Sequence, residues 1–146
     1  MVNAQSIILG AGYTKFVENK ATNYPIYSLE YQFAPFKSIG NWEFGAGADL
    51  AADANGDSHV GVGLFTYYDF QNRWFAEASV MPGAYFNGSD ENWLGGYFQI
   101  RNLVAIGYSL DNRNSLSFAF MHLSNANTTE YNPGMNSLLL RWRIRY

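Results

Sequence analysis

His122 and Ser124 are the residues of this chain whose types and spacing could do chemistry. They lie two positions apart in residues 116–125, where apolar and polar residues alternate as they do in a strand. Two positions along a strand place both side chains on one face, roughly 7 Å apart. A histidine beside a serine can accept the hydroxyl proton and activate the oxygen as a nucleophile, if a third group orients the imidazole. The pattern allows a serine nucleophile with a histidine base at a strand end, and a solvated strand end without catalysis is the equally open alternative.

Composition restricts the class of protein that carries these residues. The 146 residues fit one domain, which we take as residues 1–146, and the absence of cysteine excludes disulfides and thiolate metal sites. A net charge of −3 argues against a nucleic-acid partner, because no basic field attracts phosphate. Aromatic residues make up 18% and charged residues only 14%, against about 25% charged in ordinary soluble domains. No apolar run approaches the ~18 residues of a membrane-spanning helix, so this composition favours alternating strands in a membrane.

Eight segments of the chain show the alternation of a strand, separated by turn signals at residues 37–41, 53–57, 69–72 and 111–114. Pro82 and Gly83 weaken the far end of the fifth segment. An open sheet with an apolar outer face would leave unpaired edges in lipid, so we predict an all-β, eight-stranded antiparallel transmembrane β-barrel. The expected strands begin near Gln5, Tyr27, Trp42, Val60, Trp74, Gly95, Leu116 and Met135.

The two faces of these strands have opposite chemistry. One face is apolar and aromatic, which indicates contact with lipid. The other face carries many glycines and a set of acids and arginines that can pair inside a small barrel. A soluble, lipocalin-like carrier would invert this arrangement, but the polar face has too few lysines for a solvated surface. The polar residues expected inside are Glu30, Glu43, Glu77, Gln99, Arg101, Arg141, Arg143 and Arg145.

An even strand number places both chain ends on one side of the membrane and the long connections, which follow odd-numbered strands, on the other. The loop of residues 126–133 then faces the cell exterior. Asn136 has the same parity as the apolar Leu138 and Leu140, so it points outwards as His122 and Ser124 do. Polar groups on a lipid-facing surface are costly without a partner or a purpose. We therefore expect these three side chains to meet at the level of the outer leaflet.

The sequence His122-Leu-Ser124-Asn125-Ala, followed by Asn132-Pro-Gly-Met-Asn136, resembles the lipid A 3-O-deacylase (PagL) family. The segments 75–77 and 94–106 are also similar. The resemblance implies a serine esterase of the Gram-negative outer membrane that removes the 3-hydroxyacyl chain ester-linked at position 3 of lipid A in lipopolysaccharide, without a cofactor or metal. It implies that His122 is the base, Ser124 the nucleophile, Asn125 an oxyanion candidate and Asn132 a weaker one.

Asn136 departs from the family, which has a glutamate as its third triad member. An asparagine carbonyl can accept the imidazole N–H but cannot offset the charge of an imidazolium. Glu130 in the same loop could take over if that loop folds across the site. Three outcomes stay open: an active esterase, an inactive relative, or a non-catalytic barrel that acts as a structural or adhesive protein through its loops.

Two further expectations concern residues outside this constellation. His59 lies beside a predicted loop near Asp53 and Asp57, and we expect a surface histidine there. Val2 and Ala4 fit the small residues of a signal-peptide cleavage site, so we expect a mature exported chain that restarts at Met1. The sequence shows no metal-ligand spacing, phosphate loop or cofactor motif, and it does not define an oligomeric state.

Overall fold

The structure is a computed structural model that describes residues 4–17 and 21–146. The expectation for residues 1–3, and part of the first connection at residues 18–20, lie outside the described residues. Within them, no helix is long and apolar enough to cross a membrane. The described strands are β1 (Ser6–Phe16), β2 (Pro25–Gln32), β3 (Lys37–Ile39), β4 (Trp42–Asp53), β5 (Ser58–Asp69), β6 (Trp74–Phe86), β7 (Phe98–Ser109), β8 (Asn114–Ser124) and β9 (Met135–Arg145).

Eight long strands close into an antiparallel barrel, as the alternation predicts. Neighbouring strands follow the order β2-β1-β9-β8-β7-β6-β5-β4, and β2 pairs with β4 to close the ring. The short β3 pairs only with the start of β4, so residues 37–41 form a small hairpin where we expected a simple turn. Gly40 makes this hairpin possible because its φ of 57° lies in the left-handed region. Closure leaves no edge among the eight long strands.

Two boundaries differ from the sequence-based expectation. β6 continues through Pro82 to Phe86, because the proline sits where the β5–β6 register skips two pairs while pairing with β7 continues. Proline has no backbone N–H to donate, and a proline at a position without a pairing partner on β5 therefore interrupts no hydrogen bond between β5 and β6. β7 begins at Phe98 rather than near Gly95, which has a φ of 87° and belongs to the preceding loop.

The barrel has two distinct ends. The loop end carries the connections between β1 and β2, β4 and β5 (residues 54–57), β6 and β7 (residues 87–97), and β8 and β9 (residues 125–134). The turn end carries the other connections and Tyr146. The sequence analysis expected a long connection after the third of the eight strands, which is β4 in the structure. This expectation is wrong, since residues 54–57 form a tight turn between β4 and β5.

Arginines and carboxylates fill the turn-end half of the interior. Arg141 donates to Glu77 at 2.8 Å and to Glu30 at 2.9 Å, and all three side chains are buried. Arg101 also donates to Glu30, and Arg143 donates to Glu77. Towards the loop end the interior holds an apolar cluster that includes Phe16, Ile26, Leu94, Leu123 and Met135, beside buried polar side chains such as Asp49, Asp53 and Gln99.

His59 belongs to this interior, so the expectation of a surface histidine is wrong. Its side chain is only 3% exposed, and Nδ1 lies 3.0 Å from Oδ2 of Asp49. The expectation placed the strand boundary too late. β5 begins at Ser58, so the alternation of the strand already applies at residue 59 and directs this side chain inwards.

Candidate active site

His122 and Ser124 lie at the loop end of β8, and Asn136 lies at the adjacent end of β9. All three are partly buried positions on the outer face, in line with Phe120 and Leu138, which are 44% and 50% exposed. The β8–β9 register pairs His122 directly with Asn136. The barrel therefore brings His122 and Asn136 together on the outer face, and Ser124 lies two positions further along β8 on the same face.

A hydrogen bond joins the histidine to the residue at the third triad position. Nδ1 of His122 lies 2.7 Å from Oδ1 of Asn136. An amide oxygen only accepts hydrogen bonds, so in this arrangement Nδ1 carries the proton and Nε2 keeps its lone pair. In the described part of the chain, neither Nε2 nor the Ser124 hydroxyl has a hydrogen-bond partner, and the two groups are not bonded to each other. This tautomer is the one that a general base needs towards a nearby hydroxyl.

Gly134 packs against the imidazole. A Cβ at this position would lie 3.1 Å from Cε1 and 3.8 Å from Nε2 of His122, and the φ of Gly134 is 75°. Both the crowding and the left-handed backbone favour glycine. The absence of a side chain leaves room beside Nε2.

The histidine is part of a polar row that crosses four strands on the outer face. Lys15 of β1 pairs with Asn136, Asn136 pairs with His122, and His122 pairs with Asn102 of β7. Lys15 and Asn102 are exposed. The same row becomes apolar on the next two strands, where Val80 and Leu64 follow. Polar side chains thus concentrate in one sector of a lipid-facing surface, which is where function is the better explanation.

Directly below this polar row, three successive rows on the same four strands are apolar or aromatic. They extend towards the turn end and form a continuous wall of exposed side chains. We call this surface the apolar wall; it consists of Tyr13, Leu138, Phe120 and Val104, then Ala11, Leu140, Phe118 and Ile106, then Leu9, Trp142, Leu116 and Tyr108. A lipid whose ester lies at His122 and Ser124 would have this wall available for its chains.

Asn125 does not join the outward-facing group. Its side chain is fully buried, and Nδ2 donates to the carbonyl of Tyr131 at 2.9 Å and to the hydroxyl of Thr129 at 2.7 Å. It also contacts the carbonyl of Leu94 at 3.3 Å, and Oδ1 accepts the N–H of residue 127. This geometry opposes the expectation of an oxyanion role for the Asn125 side chain, because its amide is engaged in holding the loop.

The other loop candidates stand differently. Oδ1 of Asn132 accepts the backbone N–H of Asn125 at 3.0 Å, and Nδ2 of Asn132 donates one N–H to Asn127. Its second amide N–H has no acceptor among the described residues, so this donor is available in the loop that follows Ser124. Glu130 is exposed on the loop, and the contacts of His122 in the described chain do not include it.

A family model described as lipid A 3-O-deacylase (PagL) matches residues 7–145. The chain belongs to the lipid A 3-O-deacylase (PagL) family. The resemblance inferred from the sequence motif is therefore confirmed. A comparison with curated proteins found no similar sequence.

Solved structures share the barrel. The crystal structure of the outer membrane enzyme PagL superposes with a TM-score of 0.74 at 17% identity, over 95% of this chain and 98% of that one. Designed transmembrane β-barrels give a TM-score of 0.67 at 8% identity, over 100% and 98%. The Yersinia pestis outer membrane protein Ail gives 0.57 at 9% identity, over 99% and 100%. At these identities the structural likeness shows the fold alone.

Two neighbours of His122 in the polar row, Lys15 and Asn102, were missed by the sequence analysis. Membership in the PagL family makes them relevant to the candidate active site. Lys15 lies on β1, far from His122 in the chain, and Asn102 lies on the preceding strand β7, and neither residue belongs to a recognisable motif. Their parity gave a signal, since each occupies an outward position in an otherwise apolar strand face. Only the register shows that both belong to the row of His122. Among the described residues, no group of three or more His, Asp or Glu is placed to hold a metal.

Proposed function

We propose that this protein is a serine esterase of the Gram-negative outer membrane that removes the 3-hydroxyacyl chain ester-linked at position 3 of lipid A. The observation that carries the proposal is the 2.7 Å contact between His122 Nδ1 and Asn136 Oδ1 on the outward face beside Ser124. A member of a lipid A deacylase family with this arrangement has its base, its nucleophile and its substrate on the same side of the barrel wall.

The reaction follows from the tautomer. Ser124 Oγ attacks the ester carbonyl while Nε2 of His122 takes the hydroxyl proton, which gives a tetrahedral oxyanion. As the oxyanion collapses, the bond to the sugar oxygen breaks and the imidazolium returns the proton to that oxygen. Water then attacks the acyl-serine while Nε2 of His122 takes its proton, the bond between the acyl carbon and Ser124 Oγ breaks, the imidazolium returns the proton to Oγ, and the 3-hydroxy fatty acid leaves. No cofactor takes part in these steps.

The oxyanion donor in this proposal is Asn132 rather than Asn125. Asn125 uses its amide and its backbone N–H within the loop, whereas Asn132 keeps one amide N–H without an acceptor in the described chain. Asn132 is also tied to the residue that follows Ser124. A preorganised donor near a developing oxyanion typically contributes about 10²–10³ in turnover.

The apolar wall supports this proposal because it offers a surface for the acyl chains of the substrate. Exposed aliphatic and aromatic side chains extend from the polar row towards the turn end, among them Phe118, Phe120, Leu138 and Leu140. Acyl chains of a lipid in the outer leaflet pack along such a surface with their ester groups at the upper boundary of the hydrocarbon. The polar row lies at that boundary, so the ester carbonyl reaches Ser124 without leaving the membrane.

The experiment is mass spectrometry of purified lipid A after incubation with the detergent-folded protein. We expect loss of one 3-hydroxyacyl chain with wild type and no loss with Ser124→Ala. Ser38→Ala is the matched control, because Ser38 is exposed at the turn end and should change nothing. Equal loss with wild type and Ser124→Ala would contradict Ser124 as the nucleophile.

Asn136 gives a specific reason to keep an inactive relative as the second candidate. Without a carboxylate, the imidazolium that forms during the attack has no counter-charge from β9. If wild type leaves lipid A intact but Asn136→Glu removes the acyl chain, the protein is a relative that has lost activity. If both leave it intact, a non-catalytic barrel is the better conclusion.

A further inference from the structure

Lys15 holds an unusual position among the cations of this protein. The described arginines 101, 141 and 143 are buried in the barrel, whereas Lys37, Arg73, Arg113 and Arg145 lie at or near the turn end. Within residues 4–17 and 21–146, Lys15 is the one basic side chain exposed on the outer surface of the loop-end half. It lies in the row of the candidate active site, directly across from Asn136.

The surroundings of Lys15 offer no described counter-ion. On the strands that flank β1, the one carboxylate is that of Glu30, which is buried inside the barrel, and Lys15 has no hydrogen bond or ion pair with any described residue. Its outward neighbours along β1 are Tyr13 and Val17, both exposed. The adjacent Asn136 uses Oδ1 for His122 and presents its amide N–H groups without a described acceptor. The result is a small group of hydrogen-bond donors with a positive charge at the edge of a lipid-facing surface.

The spacing relates this group to the reacting ester. Two strand separations of about 4.8 Å each place the backbone of Lys15 about 10 Å from that of His122, and a lysine side chain covers several ångströms of that gap. A phosphate held by the ammonium would thus lie within about one sugar ring of an ester carbonyl at Ser124.

We propose that Lys15, together with the amide of Asn136, forms a subsite for a phosphate group carried by the substrate sugar itself. This inference rests on the proposed function, because it identifies the headgroup that the same site recognises. Binding there fixes which of several ester groups of a phosphorylated glycolipid meets Ser124. It also places a negative charge beside His122, where Asn136 supplies none.

A lysine at a membrane boundary can also extend into water without recognising anything. The two roles differ in what they discriminate. A lysine that only reaches for water affects phosphorylated and dephosphorylated lipids alike. A phosphate subsite distinguishes them.

The test measures equilibrium binding to protein with Ser124→Ala, so that turnover is not needed. The ligands are lipid A and the same lipid after removal of the phosphate from the sugar that carries the position-3 ester, in neutral detergent micelles. We expect the phosphorylated lipid to bind at least about fivefold more tightly, as an exposed ion pair allows. Adding Lys15→Gln should bring the two Kd values together, and Lys15→Arg should restore the difference. Lys37→Gln, a lysine at the turn end, is the matched control and should leave the ratio unchanged.

Each other result overturns the proposal. A Kd ratio that survives Lys15→Gln shows that the phosphate is bound elsewhere, and a ratio of one with Lys15 present shows that no subsite exists. Micelles doped with phosphatidylglycerol test the source of the phosphate: if they restore tight binding of the dephosphorylated lipid, the site takes a neighbouring headgroup instead. Because the readout is binding, failure of the esterase in the lipid A assay leaves this test intact.

Discussion

Asn136 determines how far this site can work as a triad. Its oxygen already holds the Nδ1–H of His122, so the orientation and tautomer of the imidazole are in place. What is missing is charge, because a neutral amide stabilises the imidazolium less than a carboxylate does. The chemistry at the residue scale is therefore that of a correctly aligned but electrostatically weakened base.

Asn136→Glu should raise turnover of lipid A by about 10²-fold. This is less than the ~10⁴ lost when the acid of a serine-protease triad is amidated, since much of that loss comes from the wrong tautomer, which Asn136 already avoids. Initial rates of 3-hydroxyacyl release measure the change. Asn136→Leu, which removes the acceptor but keeps the size, should lower the rate instead. A rate that rises or stays level in the leucine variant would show that Asn136 does not orient His122.

The β8–β9 loop positions the site through contacts with another loop. Asn125 ties residues 129 and 131 together and reaches Leu94, and the Thr129 hydroxyl donates to the carbonyl of Gly95 at 2.9 Å. The β6–β7 loop is anchored in turn, because Asn92 donates to Asp57 and accepts from the backbone of residue 22. The described parts of the four connections at the loop end are thus linked to one another by hydrogen bonds.

Asn125→Ala should loosen the catalytic loop while the barrel stays folded. The substitution removes the Asn125 hydrogen bonds to the carbonyls of Leu94 and Tyr131 and to the N–H of residue 127, at a net cost of about 0.5–1.5 kcal/mol for each lost bond. We expect faster hydrogen exchange in residues 126–134 and a lower rate of deacylation, with unchanged exchange in β1 to β6. Asn112→Ala, at an exposed turn, is the control. Unchanged protection of the loop would show that its order does not depend on Asn125.

The whole molecule combines an apolar outside with a charged inside. Glu30 accepts hydrogen bonds from Arg101, Arg141 and Gln32, all of them buried. Such a buried network adds little net stability relative to apolar side chains of similar volume. It is costly to break, however, because removal of one carboxylate leaves buried guanidinium groups without that partner. The barrel interior thereby supports the strand register on which the outer site depends.

Glu30→Ala should destabilise the folded barrel by about 3–5 kcal/mol, the usual effect of leaving a buried charge unpaired. Urea unfolding in phospholipid vesicles, followed by tryptophan fluorescence, measures the shift. Glu91→Ala removes an exposed carboxylate at the loop end and should change stability by less than about 0.5 kcal/mol. Equal midpoints for the two variants would contradict the network as a source of stability.

The sequence by itself determined the faces and the class. Alternation with period two is a local property of an extended chain, so it correctly separated Phe118, Phe120 and His122 from the arginines on the other side. It also indicated a closed barrel, because an apolar face on every strand excludes an open edge in lipid. His59 shows the limit of this approach, because β5 begins two residues before the expected Val60 and the side chain of His59 therefore points inwards.

Only the tertiary structure decided which residues meet. Register depends on hydrogen bonds between strands that are distant in the chain, and a shift by one residue would move every side chain to the other face. That register placed Asn136 opposite His122 and Lys15 opposite Asn136. Loop packing likewise turned the Asn125 side chain inwards, where its amide donates to the carbonyls of Leu94 and Tyr131, and no local pattern in the sequence reveals these contacts.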